Sequence, residues 1–151
     1  MILDADLTVA PEDLPLFFDP LNKGICRFVN GTRLIYPQED QAMRFLNLLG
    51  NKLFGLVMTF LLKDNISDTL CGTKALYKQD FQYINMGVDK WGDFDLLFGS
   101  AKLGNRMLEI PIHYGKRVAG KSKMKALQHG LHLVAVCWRG FCELVLQKDR
   151  A

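Results

Sequence analysis

The run ICRFVNGTRL at residues 25–34 is strand-like, with Cys26, Phe28 and Gly31 marking one face and Arg27, Val29 and Arg33 the other. It hands on to a long helical pattern over Asp40–Leu62. There Asp40, Arg44, Asn47 and Asn51 are spaced four, three and four apart, so they share one narrow stripe, and most other positions are Phe, Leu, Met or Val. Upstream, Met1-Ile2-Leu3 reads as the end of a buried strand that delivers Asp4 and Asp6 to a loop. Pro11, Glu12 and Asp13 then open a helix expected to run to about Asp19. Downstream, Ile66–Tyr77 reads as a small-residue loop and a strand, Lys78–Tyr83 as a short helix, and Trp91–Leu103 as a helix closed by Gly104. Met107–Tyr114 is a strand that Pro111 makes an edge or irregular one. Ala126–Gln147 is a helix whose polar His132, Arg139 and Glu143 share a side. Strands alternate with helices and no internal repeat interrupts them, so the fold class is α/β.

Length and composition agree. The 151 residues suit one domain with a sizeable core, and 49% apolar with 23% charged residues is ordinary globular composition. Nineteen Lys plus Arg against sixteen Asp plus Glu leave +3, too little to argue for nucleic acid without a local patch. No stretch reaches the roughly 18 uninterrupted apolar residues of a membrane span. Leu53–Leu62 is short, and Leu131–Leu146 is broken by His132, Arg139 and Glu143. Asp4 and Asp6 stand where a cleavable signal would begin its apolar stretch, which makes the cytosol the default compartment. Cys26, Cys71, Cys137 and Cys142 form no CxxC pair, and His113, His129 and His132 do not complete a zinc set, so buried reduced thiols are expected.

Four features carry chemistry. Asp4 and Asp6, at i and i+2 after a strand, can converge on a hard cation such as Mg²⁺ or Mn²⁺, though acidic pairs are equally common in solvated loops. Gly115–Lys125 holds Lys116, Arg117, Lys121, Lys123 and Lys125 with no acid, and either wraps an anion or is simply solvated. Asp93 and Asp95 open a helix as dipole partners or as a general base. Arg33 and Arg44, brought together, can hold a second phosphate; taken singly they are surface arginines.

In this order and spacing, DAD, VNGTRL, DTLCGTKA, GDFD and LG-x4-EIP-x6-R-x2-GKSKM together resemble the family 2 glycosyltransferases, in the dolichyl-phosphate mannose/glucose synthase-like branch. The likeness runs from Ile2 to about Phe141. It implies a Rossmann-like GT-A fold and inverting transfer of a sugar from a nucleotide-sugar donor to a polyprenyl phosphate at the cytoplasmic membrane surface. It further implies that Asp4 and Asp6 hold Mg²⁺ or Mn²⁺ on the donor diphosphate, with Asp6 the more direct ligand. Asp93 and Asp95 fall near the acceptor as the catalytic carboxylates. Arg33 and Arg44 fall at the lipid phosphate, and Asp68, Thr69 and Thr73 in the acceptor pocket. Arg117, Ser122 and Lys123 match the segment that closes over the donor diphosphate. An ionised phosphate needs little general-base help, so Asp93 is expected to orient or balance charge.

The resemblance also implies a preceding V-x-x-P-x-x-N-E strand with the pocket for base and ribose, whereas Met1 stands three residues before the DxD. The reading is therefore a partial GT-A domain: residues 1–125 as its C-terminal part and residues 126–147 as an amphipathic helix suited to the membrane interface. A missing N-terminal half or partner chain would complete it. The competing readings are a non-catalytic membrane-surface remnant and, resting on one basic loop, an RNA-binding module. The helix over Asp40–Leu62 and the face of Leu131, Val134, Trp138, Phe141 and Val145 are expected to lie in the interface, or else to pack on the sheet.

Overall fold

The computed structural model describes residues 1–3, 8–35, 45–113, 115 and 126–146. A 3₁₀ turn at Pro11–Asp13 leads into α1 (Leu14–Asn22), followed by β1 (Phe28–Thr32) and α2 (Phe45–Leu62). Then come β2 (Lys74–Leu76), α3 (Lys78–Phe81), α4 (Asp93–Lys102) and β3 (Met107–Pro111). Last is α5 (Ala126–Phe141), which ends in a π-helical turn over Cys142–Leu146. The architecture is mixed α/β around a three-stranded sheet of order β2-β1-β3. β1 runs antiparallel to β2 and parallel to β3. β3 is an edge strand, as Pro111 requires.

β1 is buried along its whole length because helices cover both faces of the sheet. Phe28 points into a layer built by Met58, Leu61 and Leu62 of α2, Phe94, Leu97 and Phe98 of α4, and Val136 of α5. Val29 points into the other layer, with Phe17 and Leu21 of α1, Cys71 and Ile112. This revises the faces expected for residues 25–34. Cys26 precedes the strand and joins the Val29 layer. Gly31 turns to that side too, where an added Cβ would stand 2.9 Å from Cys71 Sγ. A strand covered on both faces carries no inside/outside alternation, which is why the pattern misled.

Met1–Leu3 is not buried: all three residues are exposed, and Ile2 makes a single bridge to Lys74. Among the described residues nothing covers its outer side. α1 continues to Asn22, past the expected Asp19, and Gly24 at φ 65° lets the chain turn away.

The two long helices differ from ordinary core-facing ones. α2 buries Met58, Leu61 and Leu62 but exposes Leu53, Leu56 and Phe60 along its opposite side. α5 is inverted. His132 and Arg139 turn inward onto carboxylates, while Leu131, Val134 and Trp138 face out. Trp138 stacks on Phe141, their ring centroids 6.1 Å apart. The stripe of Asp40, Arg44, Asn47 and Asn51 lies outside the described residues and side chains.

Candidate active site

One buried polar network lies past the C-terminal end of β1, the end at which open α/β sheets bind ligands, and reaches across to Glu109 of β3. Arg33, one residue past β1, lays its guanidinium on Asp68: Nε donates to Oδ2 at 2.7 Å and Nη2 to Oδ1 at 2.8 Å. The Arg33 backbone N–H also donates to Asp68 Oδ2, at 3.0 Å. A two-point grip of this kind fixes the plane of the guanidinium, not only its position.

Asp68 is held in turn by Glu109 of β3. That carboxylate accepts the backbone N–H groups of Ser67 (3.0 Å) and Asp68 (2.9 Å), the Ser67 hydroxyl (2.6 Å) and Asn30 Nδ2 (3.2 Å). Asn30 Nδ2 donates as well to the Asp68 carbonyl at 2.8 Å. Gly55 lets α2 come down on this turn, since a Cβ there would sit 2.8 Å from the Ser67 carbonyl oxygen. Within the same loop, Thr69 and Thr73 are buried, and the Thr73 hydroxyl finds no partner among the described residues. Burial, with Asp68 nearby, pushes the Cys71 thiol up to about 11.

A second constellation begins at β2. Lys74 is fully buried, and its ammonium donates to Asp93 Oδ1 at 2.7 Å and to the Cys71 carbonyl. Asp93, the first residue of α4, keeps 22% of its side chain exposed. Its Oδ2 has no hydrogen-bond partner among the described residues. Asp95 is different. Its buried carboxylate accepts the N–H groups of Gly87, Val88 and Asp89 and pairs with Arg139 at 2.7 Å. Burial alone would raise its pKa, but the Asp89 and Val88 amides and Arg139 outweigh that and hold it below the usual carboxylate range. With both oxygens engaged, Asp95 ties the 87–89 turn to α4 and α5. Asp89 continues the fastening: Oδ2 accepts the N–H groups of Trp91 (2.8 Å) and Gly92 (3.1 Å), and Oδ1 faces His132 Nε2 at 3.0 Å.

The structure thus brings Arg33 onto Asp68, whose loop also carries the buried Thr69 and Thr73, and ties Asp93 to the end of that loop through Lys74. Asp4, Asp6, Arg44, Arg117, Ser122 and Lys123 lie outside the described residues. The chain leaves the described residues toward them after Leu3, Ile35 and Gly115, just beyond the Ile2 bridge, β1 and β3. Ile2 is antiparallel to β2 and therefore runs in the direction of β1 and β3, so all three departures lie at the same end of the sheet. Among the described residues, no three His, Cys, Asp or Glu side chains are grouped to hold a metal ion. Sequence reasoning missed Lys74 and Glu109. The first looked like a strand residue and the second like the outward half of an alternation. Their place inside the DTLCGTKA and EIP blocks was the available signal.

Comparison with known proteins fits this arrangement. The chain is similar to the dolichyl-phosphate hexose transferase of Haloferax volcanii, with 31% identity over 138 residues, 89% of this chain and 59% of that protein. It is 26% identical over 121 residues to glycosyltransferase AglJ of the same organism, covering 80% of this chain and 39% of AglJ. It is also 26% identical over 131 residues to the undecaprenyl-phosphate mannosyltransferase of Micrococcus luteus, covering 81% of this chain and 51% of that protein. These relatives, at modest identity, support a family 2 type glycosyltransferase region covering most of this chain. The chain spans about half the length of the curated relatives it matches. No family model matches it.

Proposed function

We propose that this chain forms the acceptor side and the catalytic carboxylates of an inverting, family 2 glycosyltransferase that moves a sugar from a nucleotide-sugar donor to a polyprenyl phosphate. The observation that carries the reading is the Asp68-oriented Arg33 at the same sheet end as the Lys74-anchored Asp93. Two of the relatives carry a prenyl phosphate in their names, the dolichyl-phosphate hexose transferase and the undecaprenyl-phosphate mannosyltransferase.

The chemistry asked of these residues is modest. A phosphate monoester is already ionised near neutral pH, so one of its oxygens can attack the sugar's anomeric carbon directly. The bond from that carbon to the nucleoside diphosphate breaks, and the configuration inverts. Arg33, its plane preset by Asp68, would hold the acceptor phosphate, with Arg44 as the second cation. Asp93, with one oxygen tethered, would orient the acceptor and balance charge. Asp68, Thr69 and Thr73 would form the acceptor pocket, and Arg117, Ser122 and Lys123 would close over the donor diphosphate. Asp4 and Asp6 offer the hard oxygens that Mg²⁺ or Mn²⁺ takes, and such an ion would neutralise the departing diphosphate.

The same reading puts the protein at the cytoplasmic membrane face. Among the described residues no helix is long and apolar enough to cross a membrane. α2 and α5 nevertheless present Leu53, Leu56, Phe60, Leu131, Val134 and Trp138 outward, with Phe60 72% and Trp138 67% exposed. α5 turns His132 and Arg139 onto internal carboxylates and, among the described residues, leaves Leu131, Val134 and Trp138 facing out, the arrangement an interfacial helix needs. Residues 126–147 would be that interfacial segment, behind a glycosyltransferase region over residues 1–125. The enzyme test uses the protein as its gene encodes it, a radiolabelled nucleotide sugar, polyprenyl phosphate and Mn²⁺. Label extracted as lipid supports the reading, and inertness toward every common donor contradicts it.

A further inference from the structure

Lys74 is the one cation whose side chain is completely enclosed among the described salt bridges. Taking an ammonium out of water is costly, and a lysine is kept in such a place only when fixed acceptors replace its hydration. Two acceptors do so here: Asp93 Oδ1 at 2.7 Å and the carbonyl of Cys71. The first carries the carboxylate proposed to face the acceptor. The second closes the Asp68–Cys71 loop on which Arg33 rests. Lys74 has a third attachment through its backbone. Its N–H and C=O exchange hydrogen bonds with Ile2, at 3.1 and 2.7 Å, two residues before Asp4. In register it faces Asn30 of β1, whose amide holds the Asp68 carbonyl.

We propose that Lys74 is the positioning residue of this site. It sets the Asp93 carboxylate from inside the protein, one oxygen tethered and the other left for the reacting partners, while its backbone fixes the strand that leads to Asp4. The inference rests on the glycosyltransferase reading for the word site, but the tether itself does not. Asp95, two residues along the same helix, shows the contrast, because both of its oxygens are consumed by the 87–89 turn and Arg139. Lys74 touches no substrate in this account. It acts by restricting where Asp93 stands, and a displacement of about 1 Å in a positioned group can cost on the order of 100-fold in rate.

The test compares Lys74→Met, Lys74→Arg, Asp93→Asn and the Lys74→Met/Asp93→Asn double variant in the gene-encoded protein. Met fills the lysine's apolar volume, and the partly exposed Asp93 can be hydrated, so Lys74→Met is expected to keep its fold by circular dichroism and melting. Its kcat is expected to fall about 100-fold, with the KM values for donor and acceptor nearly unchanged. Lys74→Arg, which keeps the charge, is expected to recover part of the loss. The double variant is expected to be no worse than the poorer single one, because the two residues act as a unit. Wild-type kcat in a folded Lys74→Met protein, or losses that multiply in the double variant, would overturn the proposal.

A second arm needs no turnover. The Lys74 ammonium in the wild-type chain is expected to give a slowly exchanging ¹⁵Nζ signal with a contact to Asp93, absent from Lys74→Met. A fast-exchanging, solvent-like signal overturns the tether outright. If the wild-type protein transfers no sugar yet shows the protected ammonium, the functional reading fails and the Lys74–Asp93 tether stands.

Discussion

Replacing Glu109 tests whether the Ser67-Asp68 turn is as dependent on one carboxylate as its hydrogen bonds indicate. Glu109→Ala removes the acceptor of two backbone amides, Ser67 at 3.0 Å and Asp68 at 2.9 Å. Asn30 Nδ2 keeps the Gly31 and Asp68 carbonyls, and the Ser67 hydroxyl keeps Thr32 Oγ1, so those two donors are not orphaned. Each charge-assisted bond contributes about 1.5–3 kcal/mol when its donor is left buried. Glu109 is only half-buried, so water can enter and the lower end applies, giving a loss of about 3 kcal/mol for the pair. In a chain of this size that is a drop of roughly 6–12 °C in Tm. Glu109→Gln keeps one oxygen for the amides, and about 1 kcal/mol is expected. Because Asp68 carries Arg33, the Ala variant should also raise the acceptor KM more than the donor KM. The assay is thermal melting by circular dichroism, followed by kinetics on the folded fraction. A Glu109→Ala protein melting within about 2 °C of wild type would refute the reasoning.

Three further outcomes follow from the same geometry. The Asp95 pKa is lowered in the fold, so its contribution to stability is complete above the unfolded carboxylate range near pH 4 and is lost as pH falls through the depressed folded value. Asp95→Asn should therefore flatten the acid limb of the stability profile, and identical limbs for both proteins would contradict the ion-pair account. Cys71, raised to about 11, is on the order of one-thousandth thiolate at pH 8, and it should resist iodoacetamide in the native chain until denaturant opens it. Native labelling located by mass spectrometry at Cys71 would show the loop to be open. Phe60→Ser and Trp138→Ser together should weaken flotation with anionic vesicles at least several-fold without lowering Tm, since both side chains face outward. Flotation that is absent, or unchanged by the two substitutions, would contradict the interfacial reading of α2 and α5.

Much of the fold was legible because helix and strand periods are local properties. The helix expected over Trp91–Leu103 is α4, shortened to Asp93–Lys102 and ended before Gly104, and β3 is an edge strand of the described sheet, in keeping with Pro111. What failed depended on tertiary cover. The faces of β1 were misassigned because helices bury both sides, and Met1–Leu3 looked buried only because it is apolar. The inversion of α5 was half visible. The spacing of His132, Arg139 and Glu143 puts them on one side, but only their partners Asp89, Asp95 and Lys102 show that this side points inward. At the site, Asp93 and Asp95 looked equivalent in sequence. They separate in space because Asp95 meets three backbone amides and Arg139, and Asp93 meets a single buried lysine. Such distinctions depend on how the 87–89 turn, Lys74 and Arg139 fold around the start of α4, which no periodicity of the sequence encodes.

The most direct test of the central claim sets two acceptors side by side: a polyprenyl phosphate and the matching polyprenol, each with radiolabelled nucleotide sugar and Mn²⁺, for the wild-type protein and Arg33→Ala. Label is expected on the phosphate acceptor and none on the alcohol, because Arg33, oriented by Asp68, is proposed to hold an anion that is itself the nucleophile. Arg33→Ala is expected to raise the acceptor KM by about tenfold or more, the loss of one charge-assisted contact. Transfer to the alcohol as readily as to the phosphate, or an Arg33→Ala protein with an unchanged acceptor KM, would contradict the claim.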